Sequence, residues 1–174
     1  MTYIMVDIEA DGPCPGLYSM VQLGAVVVDD KLDKTFFAKL HPLDGAFYQE
    51  DALKACNLTR GETLLYDAAS YGIINFYRWL NSIKQPDSKL YFVSDNNGFD
   101  WQFVNYYCWK FLNENPFGHS STNLGSLYKG MACSMFKNFK HLRKTIHDHN
   151  PVNDAKGNAE ALLEMKRMGL NIKL

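Results

Sequence analysis

The stretch Tyr3–Gly12, YIMVDIEADG, constrains the fold more than any other part of this chain. Its first half is an apolar run that closes at Val6 and has the length and composition of a strand. Asp7, Glu9 and Asp11 then follow at every second position. Alternate side chains of a strand share a face, so Asp7 and Glu9 point one way and Ile8 points the other, into a core. Two neighbouring carboxylates repel, and their protons are held more tightly unless a cation sits between them. Oxygen-only ligands at this density suit Mg²⁺ or Mn²⁺ better than Zn²⁺. Asp-x-Glu alone occurs often by chance. What lifts it here is an apolar strand directly before and Gly12 directly after.

The chain as a whole, 174 residues, fits a single α/β domain over 1–174. Hydrophobic residues at 47% and aromatics at 14% exclude a disordered chain. No basic leader followed by an apolar stretch opens the chain, and no window approaches ~20 apolar residues, so no membrane association is expected. Cys14, Cys56, Cys108 and Cys133 form no CxxC pair, and free thiols in a cytoplasmic setting are expected. Net charge is −1, yet residues 1–128 carry 9 basic against 15 acidic side chains and residues 129–174 carry 9 against 4. An acidic part beside a basic part suits a protein that holds cations in one place and phosphates next to it. A merely solvated surface would show the same charges.

Along the chain, Val21–Asp30 and Lys34–Pro42 read as a hairpin closed near Asp29–Asp33. A short helix is expected at YQEDALKACNL. Tyr71–Ile83 reads as a helix with Ile73, Ile74, Tyr77, Leu80 and Ile83 on one face. Lys89–Asp95 is a fourth strand, and a helix begins near Phe99. NENPFGHSSTNLGS reads as a polar loop, followed by a helix within 124–138. The last helix is expected from about Asn153, as its N-cap, to Met168, with Gly169 as the stop. This order implies a mixed sheet flanked by helices. A fifth strand is required by that arrangement, but no segment declares itself as one.

Two further acidic elements stand out. In DNNGFDWQF, Asp100 lies in the first turn of a helix, where it also favours the dipole. Asp95, at the strand end, ranks below it. In HDHNPVNDAKGNAEALLEM, Asp154 opens the final helix and His149 precedes the Pro151 turn. Gly157 is costly inside a helix and implies close approach of another backbone or of a substrate. The five histidines show no zinc spacing.

Taken together, Asp7-x-Glu9, Asn96-x-x-Phe99-Asp100 and His149-x₄-Asp154 resemble the three motifs of the DEDDh 3′–5′ exonucleases, and Gly12 matches the glycine that closes the first motif. The resemblance spans Tyr3 to about Met165, and HNPVNDAKGNAEALL is most similar to the small ribonuclease-T-like exoribonucleases. It implies an RNase H-like fold, a mixed β-sheet with α-helices on both faces. It implies that Asp7, Glu9, Asp100 and Asp154 hold two divalent cations, Mg²⁺ or Mn²⁺, that clamp the scissile phosphate ~4 Å apart. It implies that His149, and not His147, takes the proton of the attacking water. An ordinary imidazole, titrating near ~6.5, can do this near neutral pH. His147 falls off the family spacing and is expected to be dispensable.

The partner implied is nucleic acid, with RNA favoured over DNA through the narrower likeness. Substrate contacts are expected at Asn96, Phe99 and Trp101, since single strands are gripped by aromatic stacking beside a basic groove. The other aromatics of that helix read as core. An exodeoxyribonuclease of the repair or proofreading type, and a silent nucleic-acid-binding module on the same fold, are the alternatives. Retention of all four carboxylates and the histidine argues against the silent module. With no clamp-binding tail after Leu174, a free-standing enzyme is expected, and a homodimer is compatible with the aromatic content.

Overall fold

The computed structural model describes residues 1–173. Five strands, β1 (Thr2–Ala10), β2 (Met20–Val27), β3 (Thr35–Lys39), β4 (Leu90–Ser94) and β5 (Ser121–Asn123), form one sheet in the order β3-β2-β1-β4-β5. β1, β2 and β3 pair antiparallel, whereas β4 and β5 run parallel to β1. The helices are α1 (Glu50–Ala55), α2 (Arg60–Thr63), α3 (Ala69–Ile83), α4 (Asn97–Leu112), α5 (Leu124–Met131) and α6 (Pro151–Arg167). No helix among the described residues is long and apolar enough to cross a membrane.

Strand alternation feeds two cores. Ile4, Val6 and Ile8 of β1 face α3 and α4 through Ile73, Phe76, Leu80, Phe103 and Tyr107. Met5 faces the other way, into the core built from Val26, Val93, Leu124, Ala155, Ala159 and Leu162. Both faces of the central strands are therefore covered, and every residue of β2 is buried. This is the expected α/β sandwich of a mixed sheet between two helical layers.

Several boundaries differ from the sequence expectations. β1 runs past the apolar segment that closes at Val6 to Ala10, so Asp7 and Glu9 stand within the strand, as their alternation required, paired with Gly24 and Gln22 of β2. The missing fifth strand is Ser121–Asn123, three residues inside the segment read as a loop. It is short and polar because it closes the sheet edge and caps α5, where the Asn123 side chain accepts from Ser126 N. α6 begins at Pro151, not Asn153: Asn150 is the N-cap, accepting from Val152 N and Asn153 N, and Pro151 fills the first helical position. On α3 the buried face contains Gly72 and Phe76, while Ile74 and Tyr77 are only half-buried.

Candidate active site

The carboxylates meet where β1 outruns its partner. β4 ends its pairing with β1 at Val93 opposite Met5, which leaves the β4 side of Ile8 without a strand. Asp100, in the first turn of α4, fills that gap: its Oδ1 accepts from Ile8 N at 3.3 Å. Asp7 and Glu9 lie on the α6 side of β1, the face of Met5. On β2, Gly24 sits opposite Asp7, and a Cβ there would overlap the backbone of Pro151 and Val152. The absence of a side chain lets the start of α6 descend onto the sheet beside Asp7. That descent delivers Asp154. Oxygen atoms of Asp7, Glu9 and Asp154 all lie within 4.8 Å of one another.

Crowding shows in the protonation equilibria. Burial, then the charges of Asp100, Glu9, Asp154 and Asp95, hold the Asp7 carboxyl well above the usual carboxylate range. Burial likewise pushes Glu9 up to about 7, against a hydrogen bond from Cys56. Asp100 is pushed up to about 7, again mainly by burial. Four acids gathered in this way favour a bound cation, which would remove their mutual repulsion.

The histidine loop is built from α6 backwards. Asp154 Oδ1 accepts from Asp148 N at 3.2 Å, and Asp148 Oδ2 accepts from the Asn153 side chain at 2.8 Å. Upstream, Glu160 accepts from Lys144 N, Thr145 N and Thr145 Oγ1 at 2.7–2.9 Å. Gly157 lets this segment lie flat on α6: a Cβ there would sit 3.0 Å from Thr145 O. The close approach implied by that glycine is therefore to the Thr145 carbonyl and the stem of the Arg143 side chain. Between these anchors His149 adopts a left-handed φ of 59°, a strained conformation for this residue, and its Nδ1 lies 3.8 Å from Glu9 Oε1.

Three features escaped the sequence. His147, expected to be dispensable, reaches the site: its Nδ1 is 2.8 Å from Asp154 Oδ2, a contact whose angles are not those of a hydrogen bond. Cys56, at the end of α1, donates its thiol to Glu9 Oε2 at 2.7 Å. Asp95 is held by Arg143 Nη2 at 2.8 Å, which places a cation beside the acids. None of these follows from local pattern, because each pairs residues 7 to 48 positions apart. Asp11, third in the opening run, is fully buried and turned elsewhere, accepting from Ser19 N and from Arg60 Nη1 at 2.9 Å.

The residues expected to touch substrate flank Asp100. Asn96 is exposed at the α4 N-terminus and makes no side-chain cap. Phe99 is half-buried and meets Phe103 edge-on at 5.2 Å between centroids. Trp101 is half-buried too, but its ring is anchored edge-on to Phe92 at 5.0 Å in the α3–α4 core.

No family model matches the chain. A 3′-5′ DNA exonuclease of Escherichia coli, Cap18, is 30% identical over 99% of this chain and 95% of its own length. Among solved structures, the nuclease domain of 3′hExo, a DEDDh family member bound to rAMP, superposes with a TM-score of 0.78 at 14% identity, covering 99% of this chain and 97% of its own. The cell-death related nuclease CRN-4 also reaches 0.78 at 17% identity, covering 97% of this chain and 64% of its own. An E. coli ExoI–ssDNA complex reaches 0.73 at 16% identity over 97% of this chain and 41% of its own. The fold is the RNase H-like exonuclease fold, shared with the DEDDh family member 3′hExo, and by its relationship to Cap18 the chain belongs to the 3′–5′ exonucleases.

Proposed function

We propose that this protein hydrolyses phosphodiester bonds one at a time from the 3′ end of single-stranded nucleic acid or a 3′ overhang, releasing nucleoside 5′-monophosphates. One observation carries the reading: residues from β1, α4 and α6 converge so that Asp7, Glu9 and Asp154 oxygens fall within 4.8 Å, with Asp100 on the Ile8 amide and His149 beside Glu9.

Asp7, Glu9, Asp100 and Asp154 would hold two divalent cations, Mg²⁺ or Mn²⁺. Their fit rests on an all-carboxylate donor set in which burial, and then neighbouring negative charge, holds the protons of Asp7, Glu9 and Asp100 tightly. Cations bound there supply charge neutralisation at the scissile phosphate and activation of the attacking water. The protein's own groups do the rest. Ile8 N fixes Asp100, Cys56 fixes one oxygen of Glu9, and Asp148 N fixes one oxygen of Asp154. His149 turns Nδ1 toward Glu9, which leaves Nε2 to accept the proton of the attacking water. Asn96, Phe99 and Trp101 border the path of the terminal nucleotide, with Phe99 and Asn96 the better placed.

The likeness to ribonuclease-T-like enzymes favours RNA. DNA is the second reading, supported by the activity for which the E. coli relative is named. A panel of 5′-labelled single-stranded RNA, single-stranded DNA and 3′-overhang duplexes, with Mg²⁺ or Mn²⁺, separates the two. A ladder shortening from the 3′ end is expected on at least one of them. Comparable cutting of a closed circular single strand would indicate an endonuclease.

A further inference from the structure

From Asn115 to His147 the chain contains no acidic residue, while it carries Lys129, Lys137, Lys140, Arg143 and Lys144. Within this acid-free stretch two apolar side chains stand in solvent at the turn after α5: Phe136 is 99% exposed and Met135 74%. The lysines at 137, 140 and 144 are exposed, and none of the three forms an ion pair among the described residues. The nearby acids are already engaged, Asp95 by Arg143 and Glu160 by the amides of Lys144 and Thr145. The positive charge of this segment is therefore uncompensated.

The segment also leads to the active site. Phe139 anchors it in the α5–α6 core, and Arg143 ties it to Asp95 beside the carboxylates. It ends at His147 and His149. Arg143 lies seven residue steps beyond Phe136, at most about 25 Å of chain. We infer that residues 135–144 form an accessory track for the nucleic-acid strand upstream of the scissile end, with Phe136 stacking on a base and Lys137, Lys140 and Lys144 meeting phosphates. The inference rests on the exonuclease reading above and adds a second contact region to it. A lone exposed ring among unpaired lysines suits a single strand, whose bases stack on aromatics and whose phosphates need cations. A protein-docking patch would instead need a contiguous apolar area depleted of lysine.

Two variants test this, Phe136→Ala and Lys137→Glu/Lys140→Glu, both at exposed positions outside the carboxylate site. Binding of a labelled single strand of about 20 nucleotides, longer than the ~4–16 that such surfaces cover, is followed by fluorescence polarisation without divalent cation. Hydrolysis of a trinucleotide is followed separately with Mn²⁺. Phe136→Ala is expected to weaken binding of the long strand about fivefold or more. The double lysine variant is expected to flatten the slope of log K against log salt by about 0.7 per lysine. Trinucleotide turnover should stay at the wild-type rate in both. Unchanged long-strand affinity and salt slope would overturn the track, and would leave the apolar tip to a protein or a lipid surface. Failure of wild type to cut the trinucleotide or any longer strand would overturn the exonuclease reading instead, while the binding result still decides the track.

Discussion

Burial raises the carboxyls of Glu9 and Asp100 to about 7 in the folded, cation-free protein and holds that of Asp7 well above the usual carboxylate range. A carboxyl raised above its unfolded value stabilises the fold while protonated. That stabilisation is complete below the unfolded value, near ~4, and is lost as pH climbs through about 7. For Glu9 the displacement from 4.5 to about 7 corresponds to ~3 kcal/mol. In EDTA the melting temperature should therefore fall between pH 5 and pH 8 (roughly the span of these shifts). Adding Mn²⁺ should raise it most at the alkaline end, where the acids are ionised and a cation binds the native state. A cation-free melting curve indifferent to pH would contradict this description of the cluster. The two histidines make a second test. His149→Ala should lose ~10²–10⁴-fold in turnover and keep its stabilisation by Mn²⁺. His147, in contact with Asp154 Oδ2, should act through that ligand. His147→Ala is expected to need more Mn²⁺ for half-maximal rate while approaching wild-type turnover at saturation. Equal loss of saturated turnover in both variants would remove the distinction.

At the scale of elements, two glycines decide where the last helix lies. Gly24→Ala would force a side chain into the Pro151–Val152 backbone, and overpacking of this kind costs ~1–3 kcal/mol. Because α6 carries Asp154, the same variant should also lose activity and stabilisation by Mn²⁺. Gly157→Ala presses on Thr145 O at 3.0 Å and on Arg143, so it should disturb the histidine loop more than the carboxylates. Its expected signature is reduced turnover with Mn²⁺ stabilisation retained. Thermal melts with and without Mn²⁺ beside turnover separate the two, and full activity in Gly24→Ala would refute its part in placing Asp154. The legibility of the sequence follows the same lines. β1, the β2–β3 hairpin, α3 and β4 were readable because apolar period and turn residues are local. Gly157 was readable as a close approach because a helical glycine needs a reason. Gly24 sits in a strand of ordinary composition, and only its partner across space gives it meaning. β5 was invisible because three polar residues at a sheet edge carry no apolar alternation. The N-cap of α6 was misplaced by three residues because Asn150 and Asn153 can both cap, and Pro151 decides for the first.

Over the whole molecule, Arg143 of the basic segment pairs with Asp95 of the acidic part beside the carboxylates. The motif residues Asp7, Glu9, Asp100, His149 and Asp154 were legible from type and order, and the fold brings them together. The contacts that orient them, from Cys56, His147 and Arg143, needed the tertiary structure. Asp7 lies in the middle of that convergence. Replacing Asp7 by asparagine removes one charge from the cluster while keeping size and shape, so cation-free stability should equal or exceed that of wild type. The most direct measurement compares purified wild type and Asp7→Asn on 5′-labelled single-stranded substrate with Mn²⁺, reading both the ladder and the released nucleotide. The expected result is stepwise shortening to nucleoside 5′-monophosphates by wild type and none by the folded variant. Undiminished shortening by Asp7→Asn would contradict the assignment of the site.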